Sequence, residues 1–230
     1  MKADKTILVT GSSRGLGASI CSALQADGYH VIGASRSGKA PDGIEAIACD
    51  IGEYQSVKDN LKSVGKMKSL YGLVNAAGIA SMNLAISTPP ETIERIIRTN
   101  LIGTINVNAF LAKRFVRNKG GRIINFSTIA VPISLKGESI YIASKAGVEG
   151  FSKSFAREMA DFNTTVNVIA PEPIETDLIA KVPAASIQRI IDQQIIPKQF
   201  TKDDIVDLTR MLLSESSHML SGQVFNVGGA

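Results

Sequence analysis

The sequence has no tryptophan, two cysteines and two histidines in 230 residues, and each scarcity removes a class of function. Cys21 and Cys49 form no CxxC arrangement, so a disulfide scaffold is excluded and a reducing, cytoplasmic setting is expected. His30 and His218 lie far apart in sequence, which leaves a zinc site or a histidine-based hydrolase little to work with. No metal is expected. No apolar run approaches the ~18–20 residues that cross a bilayer, so no membrane partner is expected. The opening MKADKTILVTG has neither the apolar length nor the small-residue cleavage site of a signal peptide. Charge of neither sign dominates: 25 Lys+Arg against 21 Asp+Glu leaves +4, which suits an anionic small molecule as readily as nucleic acid. The densest basic stretch holds Lys113, Arg114, Arg117, Lys119 and Arg122. It reads first as cations complementing a helix C-terminus, and second as a docking patch for an anionic partner. With Phe115 as its one interleaved aromatic it offers little for stacking bases, which argues against single-stranded nucleic acid, and no nucleic-acid partner is expected.

What is present is a steady alternation. Short β-branched runs at Thr6–Thr10, Tyr29–Ala34, Glu45–Cys49, Leu70–Asn75, Arg122–Phe126, Thr164–Ile169 and Gln223–Asn226 read as strands. Between them Leu16–Asp27, Tyr54–Val64, Glu91–Val116, Ser139–Asp161 and Thr201–Leu213 read as helices, the third long enough to hold a bend. Strands alternating with helices predict βαβ units. The expectation is a single α/β domain over residues 1–230: a doubly wound, mostly parallel seven-stranded sheet with helices on both faces. One stretch breaks the rhythm. Residues 171–200 carry Pro171, Pro173, Pro183 and Pro197, and an insertion of that size reads as a substrate-covering segment, with a short helix expected over Ala184–Gln194.

Directly after the first strand comes Thr10-Gly-Ser-Ser-Arg-Gly-Leu-Gly17, opening a helix. Gly11 permits a tight strand-to-helix turn, Gly15 lets backbone approach a pyrophosphate, and Gly17 allows helix and strand to pack closely. Orphan N–H groups at the helix start then favour the anion. In that context the loop reads as a dinucleotide-binding turn. A second glycine-rich stretch, Gly33-Ala-Ser-Arg-Ser-Gly38-Lys39, matches a nucleoside-triphosphate loop until Ala40 stands where magnesium needs a hydroxyl, and is dismissed.

The Gly-x3-Gly-x-Gly spacing, with the motifs that follow it, resembles the short-chain dehydrogenase/reductase family in its compact single-domain branch. The matching stretches are TGSSRGLG at Thr10–Gly17, CDI at Cys49–Ile51, NAAG at Asn75–Gly78 and Asn100 in RTNLIG. They continue in family order with YIASK at Tyr141–Lys145, PEPIET at Pro171–Thr176 and the terminal SGQVFNVGG. The resemblance implies a nicotinamide cofactor, with Asp50 and Ile51 flanking its adenine and Asn75 on its adenosine side. It also carries Ser13, Leu16, Ala76, Gly78, Pro171 and Ile174 into the cofactor set, and gives Thr176 the carboxamide. Glu172 departs from it, standing where the family has glycine.

The second strand ends Ala34-Ser35-Arg36, with no carboxylate to accept from a ribose 2′-hydroxyl. Arg36 and Arg14 suit a 2′-phosphate, so NADP (NADPH) is expected over NAD. Tyr141 and Lys145 are one helical turn apart and share a face. An ammonium beside a phenol favours the phenolate and draws its pKa down from about 10, which fits Tyr141 for proton exchange with a carbonyl or alcohol oxygen. The family's serine maps to Thr128, which keeps the hydroxyl and adds a methyl; neighbouring Ser127 is expected to point away by strand alternation. Asn100 is implied to hold a proton-relay water at a helix bend.

The expected activity is interconversion of a ketone and a secondary alcohol, with a 3-oxoacyl group on a carrier protein, a sugar or a secondary-metabolite ketone as substrate. A cofactor-binding regulator without turnover is the alternative from another class. The resemblance further implies a homotetramer or homodimer.

Overall fold

The computed structural model describes residues 2–174 and 184–229. Seven strands form: β1 (Thr6–Thr10), β2 (His30–Ser35), β3 (Glu45–Ala48), β4 (Leu70–Asn75), β5 (Gly121–Phe126), β6 (Thr164–Ala170) and β7 (Val224–Asn226). All pair in parallel, in the order β3-β2-β1-β4-β5-β6-β7. The helices are α1 (Gly15–Ala26), α2 (Tyr54–Asn60), α3 (Pro90–Ile97), α4 (Gly103–Asn118), α5 (Ala130–Ile133), α6 (Ser139–Ala160), α7 (Ala184–Ile191) and α8 (Lys202–Leu213). The expected fold class is the one found.

Strand alternation divides the core in two. From β1, Leu8 packs with Val57, Leu111, Phe115 and Phe155 on one face, while Ile7 and Val9 pack with Ile20, Leu24, Ile205 and Leu212 on the other. Each such side chain, fully buried, contributes about 1.5–3 kcal/mol. Covered on both sides, β1, β5 and β6 are buried throughout, which explains their unbroken apolar runs.

Three local departures have physical causes. The helix expected over Tyr54–Val64 stops at Asn60, whose side-chain amide donates to the Ser56 carbonyl at 2.9 Å and competes with the helical ladder. The long helix divides into α3 and α4 around a five-residue π-turn at Arg98–Ile102. The basic stretch disperses: Arg122 is buried in β5 with Nε on the Ser214 carbonyl at 3.2 Å, and Arg114 donates to Gly65 O at 2.9 Å. Lys113, Arg117 and Lys119 stay exposed around the end of α4, which favours the helix-dipole reading over a docking patch.

The strand order reverses at β1. The chain works outward to β3 and returns on the other side of β1 as β4, so the carboxyl ends of β1 and β4 open a crevice between diverging connections. Register aligns Thr10, Asn75 and Asn125 in a row at that edge.

Candidate active site

A cavity of about 790 Å³ occupies the crevice. One end is built by the turn after β1. Gly11 has φ +75°, and a Cβ on Gly17 would stand 2.3 Å from the Gly11 carbonyl oxygen, so a side chain there would push α1 off the strand. The turn is fastened from behind: buried Ser12 donates to Lys39 O at 2.9 Å, and Thr10 Oγ1 accepts from Ala77 N at 3.3 Å. Gly11, Ser13, Arg14, Gly15, Leu16 and Gly17 line this end with Arg36, Asp50, Ile51, Ala76 and Gly78. Arg36 is exposed there, and Lys39 joins the lining as a cation that sequence reasoning missed. Asp50 is held in a tight turn, its Oδ1 accepting from Gly52 N at 2.9 Å. Ser35 Oγ accepts from Lys39 N and the next element is a strand, so the triphosphate-loop pattern has no helix to open.

Asn75 is not brought to the wall. Its amide donates to Asn125 Oδ1 at 2.8 Å; Asn125 in turn donates to Ser152 Oγ at 2.9 Å and accepts from Asn108 at 3.1 Å. This buried polar row ties β4 and β5 to α4 and α6. Shared register at one sheet edge, a tertiary property, makes it.

At the other end Thr128, Tyr141 and Lys145 converge with Pro171 and Ile174. Tyr141 and Lys145 lie on the buried face of α6, and Lys145 Nζ donates to the Phe126 carbonyl at 2.8 Å. Asn100, wholly buried in the π-turn, donates to Ser144 Oγ at 3.0 Å and to Ile79 O at 2.9 Å, and accepts from Ile79 N at 2.9 Å. The expected bend is therefore a brace between the turn after β4 and α6. Ser144, inside YIASK, was overlooked; its place one turn from Tyr141 was the available signal. Ser127 Oγ donates to Glu149 at 2.5 Å; β5 ends at Phe126, so strand alternation does not reach this residue, and it lines the cavity as Thr128 does. Thr128 Oγ1 accepts from Ala130 N at 3.2 Å. Thr176 lies outside the described residues.

One electrostatic expectation is reversed. Lys145 Nζ is 6.0 Å from the Tyr141 ring centroid, and the phenol is held well above its ordinary range. Burial is the main cause, the Glu138 carboxylate adds to it, and the Thr128 hydrogen bond opposes it. Burial also draws Lys145 down to about 8. A water-poor pocket disfavours phenolate and ammonium alike, and Lys145 spends its ammonium on a carbonyl oxygen. Tyr141 is thus held as a proton donor at neutral pH.

Glu172, where the resemblance expects glycine, turns inward and is 4% exposed. Its carboxylate accepts from the Gln194 side chain and the Phe200 backbone N–H, clasping the chain that leaves α7. From α7 itself, Ile190 reaches the cavity wall. Glu172→Gly removes both acceptors and should cost about 1–3 kcal/mol, read as a lower urea midpoint. Burial raises the Glu172 pKa, so the native state holds this proton more tightly than the unfolded chain does. Its contribution to stability is full below the unfolded carboxylate range and is lost as pH rises through the raised value. The stability of the wild type relative to Glu172→Gln should accordingly fall with rising pH.

A parallel sheet with a glycine turn at its switch point, facing a Tyr/Lys helix, defines a dinucleotide-binding oxidoreductase fold. The short chain dehydrogenase family profile matches residues 5–186, and the chain belongs to that family of NAD(P)-dependent oxidoreductases. It is 32% identical over 229 residues to the 3-oxoacyl-[acyl-carrier-protein] reductase MabA of Mycobacterium bovis, covering 98% of this chain and 92% of that one. It is also 32% identical over 242 residues to the 3-oxoacyl-[acyl-carrier-protein] reductase FabG of Staphylococcus aureus, covering 100% and 98%. A short-chain type dehydrogenase/reductase from Mycobacterium ulcerans superposes with a TM-score of 0.89 at 26% identity, covering 98% of this chain and 89% of that one. Among the described residues, no helix is long and apolar enough to cross a membrane.

Proposed function

We propose that the chain interconverts a ketone and a secondary alcohol with NADP, with Tyr141 as general acid and base. The observation that carries this reading is one cavity with a glycine turn and exposed cations at one end and Thr128, Tyr141 and Lys145 at the other. The turn suits a dinucleotide: glycines leave it without Cβ atoms, and α1 starts with no side-chain cap, so its first N–H groups are left for an anion. Arg14, Arg36 and Lys39 favour a 2′-phosphate at the rim. NADPH, when bound, supplies the hydride. Thr128 then holds the carbonyl oxygen by its hydroxyl, and Tyr141 delivers a proton to that oxygen. Lys145 keeps its place on the Phe126 carbonyl, and Asn100 and Ser144 steady the helix that carries both. Thr176 is retained as the carboxamide partner.

The names of the relatives make a 3-oxoacyl group on a carrier protein the first substrate to assay. A sugar or secondary-metabolite ketone is the second reading, favoured by the Glu138 carboxylate in the wall. NADPH oxidation against both classes tests the proposal; NADPH binding with turnover of neither would point to a regulator instead. Thr128→Val should cut kcat about 10–100-fold, the worth of one hydrogen bond to a charged oxygen. Ser127→Ala, which removes a hydroxyl already given to Glu149, should keep turnover. Full activity in the valine variant would move the role to another hydroxyl. One domain spanning 1–230, a homotetramer or homodimer measurable by light scattering, and a cytoplasmic setting suited to two free buried thiols complete the proposal.

A further inference from the structure

Glu138 occupies the N-cap position of α6, where a carboxylate ordinarily reaches back to a free backbone N–H. It makes no such bond. Glu138 instead lines the cavity, three residues before Tyr141, and Met82, Leu135, Ile174 and Ile190 line the same cavity. Among the described residues it has no hydrogen-bond or ion-pair partner. The other charged groups at this end are occupied: Lys145 by the Phe126 carbonyl and Glu172 by Gln194 and Phe200. Burial raises the Glu138 pKa, and its charge also raises that of the Tyr141 phenol three residues on, which lines the same cavity. An apolar chain lying in this end would bury an unpaired carboxylate, which is costly. A substrate donor would satisfy it.

We propose that Glu138 is a specificity-determining residue, selecting ketones that carry an O–H or N–H donor over those that present only hydrocarbon to this wall. The proposal rests on the Tyr141-centred reading and narrows its substrate class to hydroxylated or amine-bearing ketones.

The test uses cyclohexanone, 4-hydroxycyclohexanone and 4-aminocyclohexanone, which share one skeleton. Their affinities are measured by calorimetry on the Tyr141→Phe protein in complex with NADPH, and their kcat/KM values on the wild type. Binding does not require proton transfer, so the preference can fail while the Tyr141 reading stands, and the reverse. The donor-bearing ketones should bind about 10–100-fold tighter than cyclohexanone, as for a hydrogen bond to a charged group. Adding Glu138→Leu should erase both preferences. Glu138→Gln, whose amide oxygen still accepts, should keep most of the hydroxyl preference and lose the ammonium preference. Among the described residues the Glu138 carboxylate makes no hydrogen bond or ion pair, so neither change removes one. Equal affinities for the three ketones, binding of none at millimolar concentration, or a preference that survives Glu138→Leu overturns the proposal.

Discussion

Tyr141→Phe should lower kcat for ketone reduction by about 10²–10⁴-fold, the usual worth of a placed proton donor. NADPH affinity should hardly change, since the ring and its packing remain. The protonation state sets the direction of a second measurement. Burial keeps the wild-type phenol protonated at neutral pH, so reduction should show a flat rate there. Alcohol oxidation needs the phenolate and should climb with pH. Above about 8 Lys145 itself loses its proton, so any assistance from its charge fades there. A Phe variant with undiminished kcat would remove Tyr141 from the chemistry.

Arg36→Asp should change the ratio of kcat/KM for NADPH to that for NADH by about 100-fold or more. A charge-assisted hydrogen bond worth roughly 1.5–3 kcal/mol is lost, and the new carboxylate repels a phosphate while accepting from a ribose hydroxyl. Arg36 is exposed, so the wild-type preference should weaken as salt is added. Arg14 and Lys39 remain at the same rim and temper the loss. An unchanged ratio would take the arginine out of cofactor selection.

Of the readings that needed only near neighbours in sequence, the strand ends held within a residue, while the helices expected over Tyr54–Val64 and Ala184–Gln194 end early, at Asn60 and Ile191. The strand at Thr6–Thr10 was legible to the residue, and Tyr141 and Lys145 shared a face as helical spacing demands. Ser127 and Thr128 lie past the end of β5, so strand alternation does not reach them, and both line the cavity. Readings that needed distant partners fared otherwise. The basic stretch looked continuous until β5 carried Arg122 inside to the Ser214 carbonyl. Asn75 has its adenosine-side role from the resemblance alone, and the sheet register is what sets its side chain beside Asn125. Glu172 was visible as an anomaly, but its partners, Gln194 and Phe200, lie more than twenty residues on. Glu138 drew no notice, because nothing local distinguishes an uncapped glutamate from a solvated one.

The sequence alone determined the alternation of strand and helix, the glycine turn and the pairing of Tyr141 with Lys145. Each rests on a local period or a local steric limit that the chain carries wherever it goes. Only the tertiary structure decided the strand order, the cavity at its reversal and the protonation of Tyr141. A pKa depends on what excludes water and on which groups act on the site; Glu138 is a neighbour along the chain, but the burial of Tyr141 and the approach of Thr128 come only with the fold.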